Sequence, residues 1–442
     1  MTRKILFITL FLTAATWAQK SKIEFTEYDL SNGLHVILHQ DNSTPIVATS
    51  IFYHVGSKNE NPERTGFAHF FEHLMFEGTA NIPRGKFMNI VESNGGTLNA
   101  TTDNDRTFYY EVLPSNQLEL ALWLESERML HLKIDSIGVE TQRKVVKEER
   151  KQRLENQPYG SIMEETFKRA YSVHPYRWTP IGSNQYIDLA KYDEFIDFYK
   201  HYYLPNNAVL TIAGDINIEK TKVLVAKYFG DIPTGKEKIE RPDPYEPELG
   251  AEKRDVVYDN IQLPLVLMAY RIPNMKSNEA YQVEMLSSLL AAGQSSRIYK
   301  ELVDKKQKAV AAGCFPMLME DSGLLLIYAI ANTGVSAEEL EKLLQAEIDK
   351  VKNENAGERE FQKLRNMKET EFVNQNASMM GMAGSLPNYY VFYGNTNLIN
   401  TELEKYLTVS SGGIKNVAQK FLNNNNRVVL YYLPKSAKNN QN

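Results

Sequence analysis

Three prolines, Pro242, Pro244 and Pro247, fall in one charged stretch between Gly235 and Lys253 and divide the chain more firmly than any other feature. Proline has no backbone N–H and a fixed φ, so this stretch makes neither a continuous helix nor a central strand. It reads as a linker over residues 236–253. The length agrees, because 442 residues exceed what one hydrophobic core usually organises. The chain is therefore expected to hold two domains, 19–235 and 254–442.

The patterning suggests that both follow one plan. Glu24 to Leu30 and Leu34 to His39 roughly alternate apolar and polar around Asn32-Gly33, a hairpin signal. Ile46 to Val55 reads as a strand and Gly66 to Glu77 has helical spacing. After the break at Asn94-Gly95-Gly96, strands are expected at Thr97 to Thr101 and Thr107 to Val112. Helices follow at Gln117 to His131, Ser136 to Glu155 and Ile187 to Tyr203, then a buried strand at Ala208 to Gly214 and a helix near Ile218 to Tyr228. Beyond the linker, Val256 to Arg271 is strand-rich, and helices are expected at Ala280 to Leu290 and Arg297 to Lys305. Strands near Ala309 to Leu318 and Leu324 to Ala331, helices from Ala337 and a strand at Arg427 to Leu433 complete it. Strand and helix do not alternate strictly, which favours α+β over a doubly wound parallel sheet.

The first residues are different. Arg3 and Lys4 precede an apolar run, Ile5 to Ala15, and Ala18 offers a small residue before Gln19. The run is too short to span a membrane and has the order of a secretory signal peptide, residues 1–18. No later run is long enough for an integral membrane span, so a periplasmic or otherwise exported protein is expected. Cys314 is the single cysteine, so no internal disulfide forms. A net charge of −5 gives no global basic field to attract nucleic acid.

The segment His69-Phe70-Phe71-Glu72-His73 carries the chemistry. On a helix, residues four apart project from one face, one turn apart, as two imidazoles must to share a metal. Glu72 points beside them. Neutral imidazole is a good zinc ligand, and an adjacent carboxylate can take a proton from water activated there. The order is the inverse of the commoner His-Glu-x-x-His zinc motif. A catalytic zinc usually has three protein ligands. The stretch Gln142 to Arg150 offers two carboxylates, Glu148 and Glu149, between which the helical pattern alone does not choose.

From about Asn32 to Leu433 the chain resembles the pitrilysin and mitochondrial-processing-peptidase family of inverzincins, most strongly between Val55 and Gln157. His69-Phe70-Phe71-Glu72-His73 followed by Gly78-Thr79 matches the family's metal motif. Its third ligand is a Glu about 76 residues beyond the second His; Glu149, in Val145-Val146-Lys147-Glu148-Glu149, stands at that distance from His73. Gly95 to Ala100 and Asp105 to Tyr110 match the strands lining its cleft. The resemblance implies Zn2+ held by His69, His73 and Glu149, with Glu72 as general base. It implies two similar domains, each a mostly antiparallel sheet packed by helices, the second lacking metal ligands. It also implies a closed chamber in which unfolded peptide substrates add a strand to an exposed edge, with Asn99 and Ala100 the candidates here.

Two departures qualify this. Members usually carry a Glu seven residues before the third ligand, where this chain has Gln142, which can hydrogen-bond behind the ligands but supplies no charge. Active members also have an Arg and, seven residues on, a Tyr that hold the substrate carbonyl. Counting from Ser295-Ser296-Arg297 puts Val303 and Val310 there. No Arg after the linker has Tyr seven residues on. A homologous partner chain supplying the pair is the expectation; Arg297 or Tyr299 as substitutes, or a catalytically impaired assembly or peptide-binding subunit, are the alternatives. His174-Pro175-Tyr176 is read as a structural turn, His54 as packing at a strand end, and Tyr389 to Tyr393 as core.

Overall fold

The computed structural model describes residues 22–438, so the expected signal segment lies outside the described residues. The first half builds a six-stranded sheet from β1 (Thr26–Asp29), β2 (His35–Gln40), β3 (Ile46–Tyr53), β4 (Thr97–Thr102), β5 (Thr107–Pro114) and β6 (Ala208–Gly214). The order is β1-β2-β6-β3-β5-β4, with β6 parallel to β2 and every other pair antiparallel. The second half builds a five-stranded sheet from β7 (Lys253–Asp259), β8 (Leu265–Ile272), β9 (Ala309–Met317), β10 (Gly323–Ala331) and β11 (Arg427–Pro434), in the order β7-β11-β8-β10-β9. Here β11 is parallel to β7 and antiparallel to β8. In each half the last strand inserts beside the opening ones, so one plan occurs twice, and the fold is α+β with mostly antiparallel sheets.

The helices of the first half are α1 (Phe67–Leu74), α2 (Phe87–Ser93), α3 (Leu118–Leu130), α4 (Ser136–Arg150), α5 (Ile162–Ala170), α6 (Asn184–Leu189), α7 (Tyr192–Tyr202) and α8 (Ile218–Phe229). Those of the second are α9 (Asn278–Ala291), α10 (Ala337–Asn353), α11 (Glu358–Asn376), α12 (Met379–Tyr393), α13 (Leu398–Thr408), α14 (Ser411–Phe421) and the short α15 (Lys435–Lys438). All but α5 among the first group cover one face of the first sheet. The other face is covered by α12, whose Met382, Leu386 and Phe392 pack on Ile37, Phe52 and Val209. Reciprocally, Phe167 and Ala170 of α5 pack on Leu267, Leu326 and Leu430 of the second sheet. Each half thus lends a helix to the other's sheet. β6 is consequently buried on both faces, which explains its unbroken apolar run Ala208 to Gly214.

The same packing explains α12. It is apolar all round, the pattern of a helix with no solvent face. Ser378 caps its start by accepting from the Gly381 N–H, and Gly394 ends it in the left-handed region at φ 62°. The expected core stretch at Tyr389 to Tyr393 is its last turn.

One expected helix is two. Ile187 to Tyr203 breaks at Ala190 and Lys191, which are extended, giving α6 and α7. Glu194 reaches back to the Lys191 N–H at 2.7 Å and starts α7 afresh. Continuation past Arg150 to Glu155 does occur, but Lys151–Glu155 winds as a wider π-helical turn. No helix among the described residues is long and apolar enough to cross a membrane.

Candidate metal centre

α1 owes its position to its ends and its inner face. Phe67, Phe70, Phe71 and Leu74 recur at the spacing of one helical face and are buried in the first core. Gly66, at φ 101°, turns the chain into the helix in a conformation that L side chains rarely adopt. Glu60 caps the first turn from outside it: its two carboxylate oxygens accept from the N–H groups of Gly66 at 2.9 Å and Ala68 at 2.8 Å. The Tyr109 hydroxyl donates to the Phe71 carbonyl at 3.3 Å and ties α1 to β5.

With its apolar face inward, α1 presents His69, Glu72 and His73 on its other face, His69 buried and Glu72 and His73 half-buried. α4 crosses it and brings Glu149. His69 Nε2 and His73 Nε2 lie 3.3 Å apart, and Glu149 Oε2 is 3.5 Å from the first and 3.1 Å from the second. One donor atom from each of the three residues falls within 4.8 Å of the others. The second oxygen of Glu149 is held by Arg153 at 3.0 Å, from the π-helical turn that follows. Glu148 points elsewhere: it accepts from Gln152 at 3.2 Å on the exposed face.

The electrostatics suit a cation. Burial, then the neighbouring His73, push His69 down to about 4, so it is a neutral imidazole near pH 7. The hydrogen bond from His73 holds Glu149 below the usual carboxylate range, against the burial that opposes its charge. Burial pushes the Glu72 carboxyl up, the direction required of a group that exchanges protons near neutral pH. Two imidazole nitrogens and a carboxylate oxygen converging from rigid helices are a donor set that fits zinc.

The other predicted residues fall as follows. Asn99 and Ala100 lie on β4, the edge strand of the first sheet, opposite Tyr110 and Tyr109. The Ala100 N–H donates to Asn99 Oδ1 at 2.9 Å. Gln142 lies two turns before Glu149 on α4, and its amide donates to Glu77, which also pairs with Arg84. Val303 packs against the second core, and Val310 on β9 is 49% exposed. Arg297 is tied to Glu360 by two hydrogen bonds, at 3.0 and 2.7 Å. Sequence reasoning missed Glu60, which has no local capping spacing to announce it, and Arg153, four residues after Glu149, whose spacing could have been noticed.

A helix bearing His69-x-x-Glu72-His73, met by a Glu from a second helix beneath a two-sheet α+β frame, defines the inverzincin class. The comparisons agree. Residues 35–177 match the model described as insulinase (peptidase family M16), and residues 190–368 match the peptidase M16 inactive domain. His69, Glu72, His73 and Glu149 all fall in the first segment. The chain is 32% identical over 434 residues to the zinc protease PqqE of Helicobacter pylori, covering 97% of each. A crystal structure of a protease from Helicobacter pylori superposes with a TM-score of 0.89 at 30% identity, covering 93% of this chain and 100% of that one. The periplasmic protease PqqL of Escherichia coli shares the fold, with a TM-score of 0.77 at 18% identity over 94% of this chain and 48% of PqqL. The chain belongs to peptidase family M16.

Proposed function

We propose that the chain is a zinc-dependent endopeptidase subunit that hydrolyses unfolded peptides inside a closed chamber. The observation that carries this reading is the convergence of His69, His73 and Glu149 beside Glu72, on a helix that packs against the edge strand β4. His69, His73 and Glu149 would hold the ion. Zinc bound there supplies a Lewis acid. Glu72 takes the proton of the attacking water and later delivers it to the leaving amine. The edge of β4 at Asn99 and Ala100 binds the peptide as an added strand, so main-chain hydrogen bonds carry affinity and many sequences are accepted. The chain is exported, on the reading of residues 1–18, and works in the periplasm or outside the cell.

Val303 and Val310 have no side-chain donors, so the substrate carbonyl needs groups from elsewhere. A homologous chain carrying an Arg and a Tyr at these positions would face this one and complete the site. The same two valines support a second reading, a catalytically impaired assembly or peptide-binding subunit of the same family. Metal analysis tests the first reading's foundation. Purified protein reconstituted with zinc is expected to hold about one ion per chain. Absence of any bound transition metal would overturn it.

A further inference from the structure

The two halves meet in a buried knot of charge that the cleavage chemistry does not use. Lys58, 3% exposed, has its Nζ 2.9 Å from Asp105 Oδ1, 2.7 Å from Glu320 Oε2 and 3.1 Å from Asp321 Oδ2. Asp105 also accepts from the Tyr176 hydroxyl at 2.5 Å and, through Oδ2, from the Glu320 backbone N–H at 3.0 Å. His54 Nε2 stands 2.7 Å from Glu320 Oε2, and His174 Nε2 stands 3.3 Å from Asp321 Oδ2. Lys58, Asp105 and Tyr176 come from the first half; Glu320 and Asp321 form the turn between β9 and β10. A buried ion pair is weak evidence for stability, because desolvation offsets the attraction. The position of this one is more informative.

Asp105 lies in the turn that joins β4 to β5. β4 is paired on one side only, and a strand so placed has half the ladder to hold it. Its turn is gripped instead. The N–H groups of Ser57 and Lys58 donate to the carbonyls of Asp103 at 3.1 Å and Asn104 at 2.9 Å. Gly56 packs so closely on the turn that a Cβ there would meet Asn104 and Asp103 backbone atoms at 2.5 Å. On the far side, Arg106 donates to the Thr101 carbonyl at 3.3 Å and hydroxyl at 2.7 Å, which links the turn to β4 itself.

We propose that Lys58, Asp105 and Glu320 are positioning residues for peptide binding: through them the second half of the chain sets where β4, with Asn99 and Ala100, stands relative to α1. The inference rests on the peptidase reading of the metal centre. It gives the second half a part in substrate binding that needs no metal ligand and no carbonyl clamp.

The test uses zinc-loaded Glu72→Gln protein, which is expected to bind peptide without cutting it, and a fluorescein-labelled unstructured peptide as probe. On that background Lys58→Met is expected to weaken peptide binding by about tenfold or more. Zinc content should be unchanged and amide exchange over residues 98–102 faster. Lys58→Arg, which keeps the charge, should retain most of the affinity. Leu344→Ala, in the core of the other half, should lower the Tm without moving peptide affinity or β4 exchange. Unchanged affinity and exchange in Lys58→Met would overturn the proposal. If that variant does not fold, Glu320→Gln at the more open side of the knot is read in its place. If the Glu72→Gln parent binds no peptide, the reading of β4 as this chain's peptide-binding edge falls, and the exchange of β4 still decides whether the knot positions the strand.

Discussion

At the scale of single residues, four side chains divide into two proposed roles. Glu72 is assigned proton transfer, and His69, His73 and Glu149 are assigned the metal. Glu72→Gln is therefore expected to keep its zinc and lose about 10²- to 10⁴-fold in turnover. His73→Ala and Glu149→Ala should lose the zinc itself, as elemental analysis after dialysis will report. Glu148→Ala should keep it, because Glu148 faces solvent and Gln152; a Glu148→Ala protein without zinc beside a loaded Glu149→Ala would reverse the assignment. Gln142 has a local reason to be uncharged. Its amide donates to buried Glu77, and a Glu there would set two carboxyls against each other. Such a pair favours sharing a proton. Gln142→Glu should thus be less stable at pH 7.5 than at pH 5 relative to the parent, by urea unfolding.

At the scale of elements, the halves are held by exchanged helices and a strapped linker. Leu386 of α12 is fully buried against the first sheet, so Leu386→Ala should cost about 2–5 kcal/mol in denaturant unfolding. In the linker, Glu246 accepts from the N–H groups of Ser172, Val173 and His174 and from the Ser172 hydroxyl, all at 2.7–2.9 Å. Burial opposes its charge, but these donors win and hold it down to about 2. A depressed carboxyl stabilises the fold above its ordinary range and loses that contribution as pH falls through the folded value. Glu246→Gln should therefore be less stable than the parent at pH 7, with the unfolding midpoints converging toward pH 2. The strands, α1 and the meeting of His69, His73 and Glu149 were legible because period-two and helical spacing are local, and the resemblance bridged the gap from His73 to Glu149. The exchange of α5 and α12 was not legible. An all-round apolar helix such as α12 announces burial but not which sheet buries it. The knot at Lys58 joins residues more than two hundred positions apart, and nothing local marks either end.

At the scale of the whole molecule, the proposed reading gives the chain a metal side with its residues together and a carbonyl side without donors. Val303 packs half-buried against the second core and Val310 offers only an apolar surface on an edge strand. Losing one oxyanion donor costs about 10²–10³ in rate, and on that reading two are to be supplied from outside the chain. The isolated chain is thus expected to be folded, zinc-loaded and weak as a peptidase. A homodimer repeats the same deficit, whereas a homologous chain bearing the Arg and Tyr repairs it. Full activity of the isolated chain would defeat the partnership while leaving the metal assignment intact. The most direct test of the central claim is one cleavage assay. Zinc-loaded protein, together with a homologous chain carrying the Arg and Tyr, is incubated with a mixture of unstructured peptides and compared with Glu72→Gln under the same conditions. The account predicts internal peptide-bond cleavage that a chelator abolishes and that Glu72→Gln nearly eliminates. Equal cleavage by both proteins, or none by either, would contradict it.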